Sequence, residues 1–139
     1  MNLDFARAAL AAQPFSVLLG AEVAEFGDGR AVLELPVRDE LRQQNGYLHG
    51  GVLAYAADNA LTFAAGTVLG PQILTGGFAI DYLVPADGVL LRAEATVVRA
   101  GRSRAVCRCD LYTVDGSGTV KLCAAAQGSA VVPRSATRG

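Results

Sequence analysis

The chain has 139 residues, of which 52% are hydrophobic and 18% are charged, and its formal net charge at pH 7 is -1. This length fits one domain with a sizeable core, and so high a hydrophobic fraction indicates that some apolar surface meets another subunit. The near-neutral charge gives no basis for a nucleic-acid partner or for binding to an acidic membrane surface.

The N-terminal segment predicts a short helix and not a secretion signal. Residues 3–12 read as a helix that Gln13 and Pro14 close. The acid Asp4 precedes the single Arg7 of the segment, and no extended apolar stretch follows. No apolar run of the chain is long and uninterrupted enough to span a bilayer. We therefore expect a cytoplasmic protein without a membrane partner.

An extended hairpin is predicted next. Residues 16–26 form its first strand, residues 27–29 are a glycine-rich turn, and residues 30–37 alternate apolar and polar side chains with the period of a half-buried strand. The polar residues 38–48 show no periodicity, so they predict a loop.

Residues 52–69 predict a long helix around which the other elements are organised. Alanine is plentiful, no proline interrupts the segment, and Gly70-Pro71 ends it. The helix is apolar on all sides, so other elements must cover it. Asp58 is expected to be buried in its middle, where an ionised carboxylate is costly unless it is paired or used.

Four further extended runs follow the helix, and a turn signal separates each from the next: residues 73–84, 89–100, 103–114 and 119–132. Their length suits a strongly curved sheet. The chain is therefore predicted to be a single domain, residues 1–139, of the α+β class. One long helix is wrapped by a curved, mainly antiparallel, six-stranded sheet, and residues 133–139 form a frayed tail.

The three cysteines are predicted to be buried, reduced thiols. Cys107, Cys109 and Cys123 are odd in number and lack metal-type spacing with His49, the single histidine. Residues 107 and 109 point to the same face of one strand. No metal site and no cofactor are expected.

The pattern Gln43-x-x-Gly46-x-x-His49-Gly50-Gly51, with an acid nine residues after the histidine, resembles the PaaI-like acyl-CoA thioesterases of phenylacetic acid degradation. The similarity covers nearly the whole chain, including residues 80–86 and 100–103. The resemblance implies a hotdog fold and an enzyme that hydrolyses an aryl- or short- to medium-chain acyl-CoA. It also implies a homo-oligomer. The minimum assembly is a dimer, and the complete assembly is a homotetramer built as a dimer of dimers.

The resemblance also implies roles for individual residues. Gly50 polarises the thioester carbonyl through its backbone N–H, and Asp58 is the catalytic carboxylate. Gln43 orients the reacting groups. Thr62, one helical turn after Asp58, supplies a hydroxyl on the same face, and Thr75 lies near the nucleophilic water. For both threonines, the alternative is that the hydroxyl only forms a hydrogen bond with a backbone group.

His49 is included among the catalytic positions, although a structural role in holding the loop is favoured over direct chemistry. A simpler alternative for Tyr82 is a core aromatic, and one for Arg102 is a solvated charge at a strand end. Six further residues are candidates for binding the substrate or its CoA moiety: Gly51, Asn45, Tyr82, Gly101, Arg102 and Ser103.

The chemistry places a geometric constraint on Gly50 and Asp58. The N–H groups at a helix start are unpaired and lie at the positive end of the helix dipole, so Gly50 can stabilise an oxyanion. Asp58 acts either as a nucleophile, giving a mixed anhydride, or as a general base on water. Eight helical residues span about 12 Å, whereas both groups must lie within about 3 Å of one carbonyl. We therefore hypothesise that Gly50 of one subunit faces Asp58 of another.

Three alternatives to this enzyme are open. Asp58 is explained without catalysis if it pairs with an arginine. Hotdog enoyl-CoA hydratases pair their acid with a later histidine, and no histidine follows Asp58 in this chain. A non-catalytic acyl-CoA-binding module would lose the carboxylate, which this chain keeps.

Overall fold

The structure is a computed structural model that describes residues 1–134, so the expected frayed tail lies outside the described residues from position 135 onward. A short 3-10 turn covers Asp39–Leu41. The regular elements are α1 (Leu3–Ala11), α2 (Pro14–Leu19), β1 (Glu22–Gly27), β2 (Arg30–Pro36), α3 (Gly50–Leu69), β3 (Leu74–Tyr82), β4 (Leu90–Ala100), β5 (Arg104–Val114) and β6 (Val120–Val131).

The six strands form one antiparallel sheet in the order β1-β2-β4-β5-β6-β3. Helix α3 contacts all six strands. Much of the helix surface that faces the sheet is alanine, which lets the sheet approach closely; five of these alanines are fully buried: Ala56, Ala57, Ala60, Ala64 and Ala65. This confirms the predicted α+β hotdog fold, a long helix wrapped by a curved six-stranded antiparallel sheet.

Helix α3 starts two residues earlier than predicted, at Gly50. By length and composition alone it passes for a membrane span, contrary to the expectation that no segment of the chain would do so. Half of its most apolar 18-residue stretch is buried against the rest of the chain. The apolar character of α3 is therefore that of a core helix.

The N-terminal region contains a helix where a strand was predicted. Residues 14–19 form α2, and the first strand starts only at Glu22. Pro14 occupies the first turn, where its missing N–H costs nothing. Gly20 ends the helix in the left-handed conformation with φ 78°. These helix start and stop signals outweigh the strand tendency of the mostly apolar residues between them.

The edge strand β3 lies unusually close to its neighbour β6 at one point. A Cβ built on Gly128 would collide with the carbonyl oxygen of Gly77 and with Cβ of Phe78. Glycine is therefore required at this position because the two backbones approach each other closely.

The three cysteines are free and fully buried, as predicted. Burial raises the pKa of the Cys107 and Cys123 thiols to about 11 and that of the Cys109 thiol to about 12, from an ordinary value of 9.0. Their thiolate forms, which carry the reactivity of cysteine, are therefore suppressed in the folded chain.

We expect no thiol to react with a disulfide reagent at about pH 8 in the native protein, and all three to react after denaturation. Because the folded pKa values lie above the unfolded ones, the associated stability is fully present below about pH 9 and declines as the pH rises toward 11. Reagent titration and urea midpoints across this range measure both effects. A native thiol that reacts as fast as a denatured one would contradict this prediction.

Candidate active site

His49 caps the N-terminus of α3. Its Nδ1 accepts a hydrogen bond from the Gly51 N–H at 2.8 Å, and its carbonyl accepts one from the Val52 N–H at 2.9 Å. The His49 N–H donates in turn to the Leu41 carbonyl at 2.9 Å. Because an accepting Nδ1 carries no proton, the capping imidazole is neutral, with its N–H on Nε2. The loop is thus tied to the helix through the histidine.

Gly50 is the first residue of α3, and its backbone N–H has no acceptor among residues 1–134. Tyr82 packs on this residue, since its hydroxyl donates to the Gly50 carbonyl at 2.9 Å. A Cβ built on Gly50 would lie 3.2 Å from both Cζ and the hydroxyl of Tyr82. The free N–H therefore lies at the positive end of the helix dipole, beside a phenol ring.

Gly50 lies in an open groove of about 470 Å³, which Gln43, Asn45 and Tyr82 also line. The Gln43 side-chain oxygen accepts from the Asn45 N–H at 2.5 Å. Tyr82 is 53% exposed, so it is a wall of the groove and not the core aromatic of the simpler alternative. Four of the expected site residues thus share one groove.

Asp58 is half-buried on the open face of α3, which corrects the expectation of a buried acid. The reason is that a single sheet covers only one side of the helix. One carboxylate oxygen of Asp58 accepts a hydrogen bond from the Thr75 hydroxyl at 2.5 Å, and that hydroxyl lies 2.8 Å from the Thr62 hydroxyl. We call these three residues the Asp58 cluster.

No basic side chain within residues 1–134 forms an ion pair with Asp58. The alternative of a structural pair with an arginine therefore has no support in the described chain.

The two halves of the expected site lie apart within one chain. Gly50 and Asp58 are separated by eight residues of α3, which corresponds to about 12 Å along the helix axis. Their contacts on β3 are also far apart, since Thr75 is near the start of the strand and Tyr82 is its last residue.

The exposed turn formed by Gly101, Arg102 and Ser103 joins β4 to β5 at the sheet end where β3 begins. Cross-strand pairing sets Thr75 beside Ala130 and Ala130 beside Ala105, three residues after Arg102. Within one chain the turn is therefore at the opposite end of the sheet from the Gly50 groove.

A hydrogen-bond network beside Asp58 was not foreseen from the sequence. The buried Ser16 hydroxyl donates to the Gln13 side-chain oxygen and accepts from the Tyr55 hydroxyl, both at 2.6 Å. The Asn59 side-chain NH2 lies 3.0 Å from the Tyr55 oxygen, 3.1 Å from the Gln13 oxygen and 3.2 Å from the Ser16 oxygen. The network ties α2 and its N-cap residue Gln13 to α3, and the only local signal of it is the four-residue spacing of 55 and 59.

The long central helix and the six-stranded sheet that wraps it define the hotdog fold. The sequence profile of the thioesterase superfamily matches residues 45–120. The chain belongs to the thioesterase superfamily, and it is a thioester hydrolase, as the resemblance implied.

Similar proteins support this assignment. A 1,4-dihydroxy-2-naphthoyl-CoA hydrolase of Listeria monocytogenes is 31% identical over 90 residues, which cover 63% of this chain and 73% of that protein. The crystal structure of a thioesterase family protein from Silicibacter pomeroyi is 30% identical, with a TM-score of 0.86 and coverage of 91% of this chain and 93% of that one. The E. coli PaaI protein shares the fold, with a TM-score of 0.80 at 23% identity over 93% of this chain and 91% of that one. Membership of the PaaI-like subfamily stays a prediction.

We expect His49→Ala to lower the free energy of unfolding by about 1 kcal/mol, because the Gly51 N–H loses its cap acceptor. His49→Asn is the matched control, since asparagine is a good cap and should restore the stability. Urea unfolding of both variants measures the effect. If both variants keep wild-type stability but lose activity to the same large extent, His49 acts in the chemistry and not as a cap.

Proposed function

We propose that this thioester hydrolase converts an acyl-CoA to the free acid and CoA at a site that two subunits share. The observation that carries the proposal is the Asp58 carboxylate on the open face of α3, held by the Thr75 hydroxyl and without a basic partner among residues 1–134. A carboxylate that no cation neutralises keeps its capacity as a base or nucleophile.

The Gly50 N–H is proposed to receive the negative charge that develops on the thioester oxygen. In the general-base route, Asp58 takes a proton from the water that attacks the acyl carbon. The C–S bond then breaks, and the departing sulfur takes up that proton as CoA leaves. In the nucleophilic route the same carboxylate attacks first, and water hydrolyses the resulting anhydride. Gln43 and Asn45, which share the groove with Gly50, are proposed to orient the thioester.

Strand β3 supports the shared site, because it is an edge strand of the sheet and most of its residues are exposed. Unpaired strand edges readily accept another strand. Antiparallel pairing of two β3 strands about a two-fold axis at Ala79 would set Thr75, beside the β-bulge between Thr75 and Gly77, opposite the partner's Tyr82. Because Thr75 contacts Asp58 and Tyr82 contacts Gly50, this arrangement would bring the partner's Gly50 to Asp58.

The same two-fold operation would run the two α3 helices antiparallel. Ala54 lies midway between Gly50 and Asp58 and is half-buried on the open face of the helix. Its small side chain permits a close helix crossing there. A dimer would then hold two equivalent sites.

The turn at Gly101, Arg102 and Ser103 would lie at the sheet end where the shared site forms. We propose that it contacts the CoA moiety, with Arg102 available to its phosphates. A dimer of dimers and a cytoplasmic location remain predictions from the sequence.

We expect Asp58→Asn to reduce kcat by at least about a hundredfold, because the side chain keeps its size and a hydrogen-bond acceptor for Thr75 but loses its basicity. Thiol release from a panel of aryl- and alkyl-CoAs measures the rate. Asp28→Asn, in the exposed β1–β2 turn, removes the same charge away from the site and should leave the rate unchanged.

Equal rates of Asp58→Asn and wild type would remove Asp58 from the mechanism. Release of thiol from no acyl-CoA would indicate a binding module, and hydration of crotonyl-CoA without thiol release would indicate a hydratase.

Gly50→Pro should lower kcat by about a hundred- to a thousandfold, because proline lacks the N–H proposed to bind the oxyanion. Proline is well tolerated at the first helical position, and His49 already has the extended backbone that suits a residue before proline. Gly50→Ala is the control, since it adds the same Cβ beside the exposed Tyr82 but keeps the N–H.

Mixed dimers test whether the site is shared. If inactive Gly50→Pro and Asp58→Asn chains are unfolded together and refolded in equal amounts, half of the dimers should be mixed and each should hold one intact site. Activity should then recover to about one quarter of the wild-type value. A site built within a single chain would recover nothing.

A further inference from the structure

Residues 43–47 form a short loop, and two of its members, Gln43 and Asn45, line the Gly50 groove. An isolated antiparallel bridge between Arg42 and Leu48 closes the loop at its base. The four residues after Gln43 are exposed, so no other element packs over the tip of the loop. Side-chain contacts must therefore hold the tip, and with it one wall of the groove.

The Arg42 guanidinium reaches from the base of the loop to its tip. Its Nη1 donates to the Gly46 carbonyl at 2.6 Å. Its Nε donates to an Asp39 carboxylate oxygen at 3.3 Å, and Nη1 lies 3.6 Å from an Asp87 carboxylate oxygen. Asp39 belongs to the 3-10 turn, and Asp87 belongs to the connection between β3 and β4. The planar, five-donor guanidinium thus joins three segments of the chain.

The contact with the Gly46 carbonyl outweighs the two ion pairs. It is the shortest of the three contacts, and hydrogen bonds from a charged donor are roughly twice as strong as neutral ones. The Asp39 and Asp87 side chains are 98% and 67% exposed, so water screens both ion pairs and each contributes little. Arg42 itself is only half-buried, and its firmest partner is the loop that it supports.

Gly46 connects this contact to Gln43. The Gly46 N–H donates to the Gln43 carbonyl at 3.0 Å, and Gly46 has a φ of 89°, a conformation that suits glycine. The side-chain oxygen of Gln43 accepts from the Asn45 N–H, so its amide nitrogen, Nε2, is the group without a partner among residues 1–134. The contact on Gly46 therefore fixes the turn from which the Gln43 amide extends.

We infer that Arg42 is a positioning residue. Through the Gly46 carbonyl it holds the turn of residues 43–46, so that the Gln43 amide stays at the groove. The inference rests on the acyl-CoA function proposed above, in which Gln43 orients the thioester. A group displaced by about 1 Å can cost up to about a hundredfold in rate, even when the substitution lies outside the reacting atoms. Arg42 needs no contact with the substrate for this role.

Hydrogen exchange tests the contact without turnover. Arg42→Met keeps the length of the side chain but removes every donor. Peptides that span residues 43–48 should then exchange at least about tenfold faster than in wild type, because the loop opens more often. Equal exchange of this loop in Arg42→Met and wild type overturns the inference.

Arg92→Met is the matched control for both measurements. The Arg92 side chain is 29% exposed, against 27% for Arg42, and it pairs with Glu34 across two strands of the sheet. Arg92 does not line the groove. Its variant should keep the wild-type kcat and the wild-type exchange of residues 43–48. Faster loop exchange in this control as well would mean that general loss of stability opens the loop, which overturns a specific role of Arg42.

A double-mutant cycle assigns the catalytic effect to Gln43. Arg42→Met should lower kcat about tenfold, and Gln43→Ala should lower it by at least as much. In a chain that already carries Gln43→Ala, Arg42→Met should lower kcat no further, because no amide is left to position. A merely structural arginine would lower kcat by the same factor in both backgrounds, and that result overturns the inference.

Asp39→Asn and Asp87→Asn separate the carbonyl contact from the ion pairs. Both variants should keep the wild-type kcat. A loss in either variant as large as that in Arg42→Met would show that an ion pair positions the loop, which overturns the role of the Gly46 carbonyl.

The thioesterase proposal fails separately. If wild type releases thiol from no acyl-CoA, hydrolysis is removed, whereas faster loop exchange in Arg42→Met alone still supports the contact that holds the loop. If wild type releases thiol and loop exchange is the same in all variants, the role of Arg42 is removed and hydrolysis stands.

Discussion

One sheet wrapped around one helix leaves part of the helix uncovered, and the rest of this structure follows from that constraint. The side of α3 that faces the sheet is rich in alanine, so that the strands approach closely and the helix becomes the centre of the core. The opposite side carries Asp58, Asn59 and Thr62, which are half-buried. Nearly all the polar chemistry of α3 is therefore concentrated where the fold itself cannot complete the burial.

The uncovered side is organised as two separate polar clusters that share α3. On one side of Asp58, the carboxylate joins Thr75 and Thr62. On the other, Asn59 joins Ser16 of α2 and Gln13, the N-cap residue of α2. Neither cluster contains a cation, so both leave acceptor oxygens available to a ligand. The first cluster contains a carboxylate, whereas the second consists of neutral amide and hydroxyl side chains.

The sequence predicts the main architecture well because the signals for it are local. The length and composition of α3, the turn residues between strands and the alternation in β2 each concern neighbouring residues. Helix α2 was missed because residues 15–19, of which all but Ser16 are apolar, are compatible with either a strand or a buried helix. The capping signals at Pro14 and Gly20 decide between them.

The site is predictable only in part because its contacts are not local. The pattern around His49 and Gly50 locates the helix start, and the spacing to Asp58 locates the acid. The burial of Asp58 was wrongly expected, since an apolar helix does not reveal which of its sides the sheet covers. The contacts from Asn59 to Gln13 and Ser16 span 46 and 43 residues, and no periodicity in a single sequence reports such a pairing.

The missing side chain at Gly128 has a wider effect than its position suggests. Strand β3 joins the sheet through β6 alone, and the two backbones approach most closely at Gly128, where β6 has no Cβ. Thr75 and Tyr82, at the two ends of that strand, hold the acid and the helix tip respectively. A methyl group at position 128 would push β3 away from β6. It would then disturb the contacts of both Thr75 and Tyr82, although it touches neither side chain.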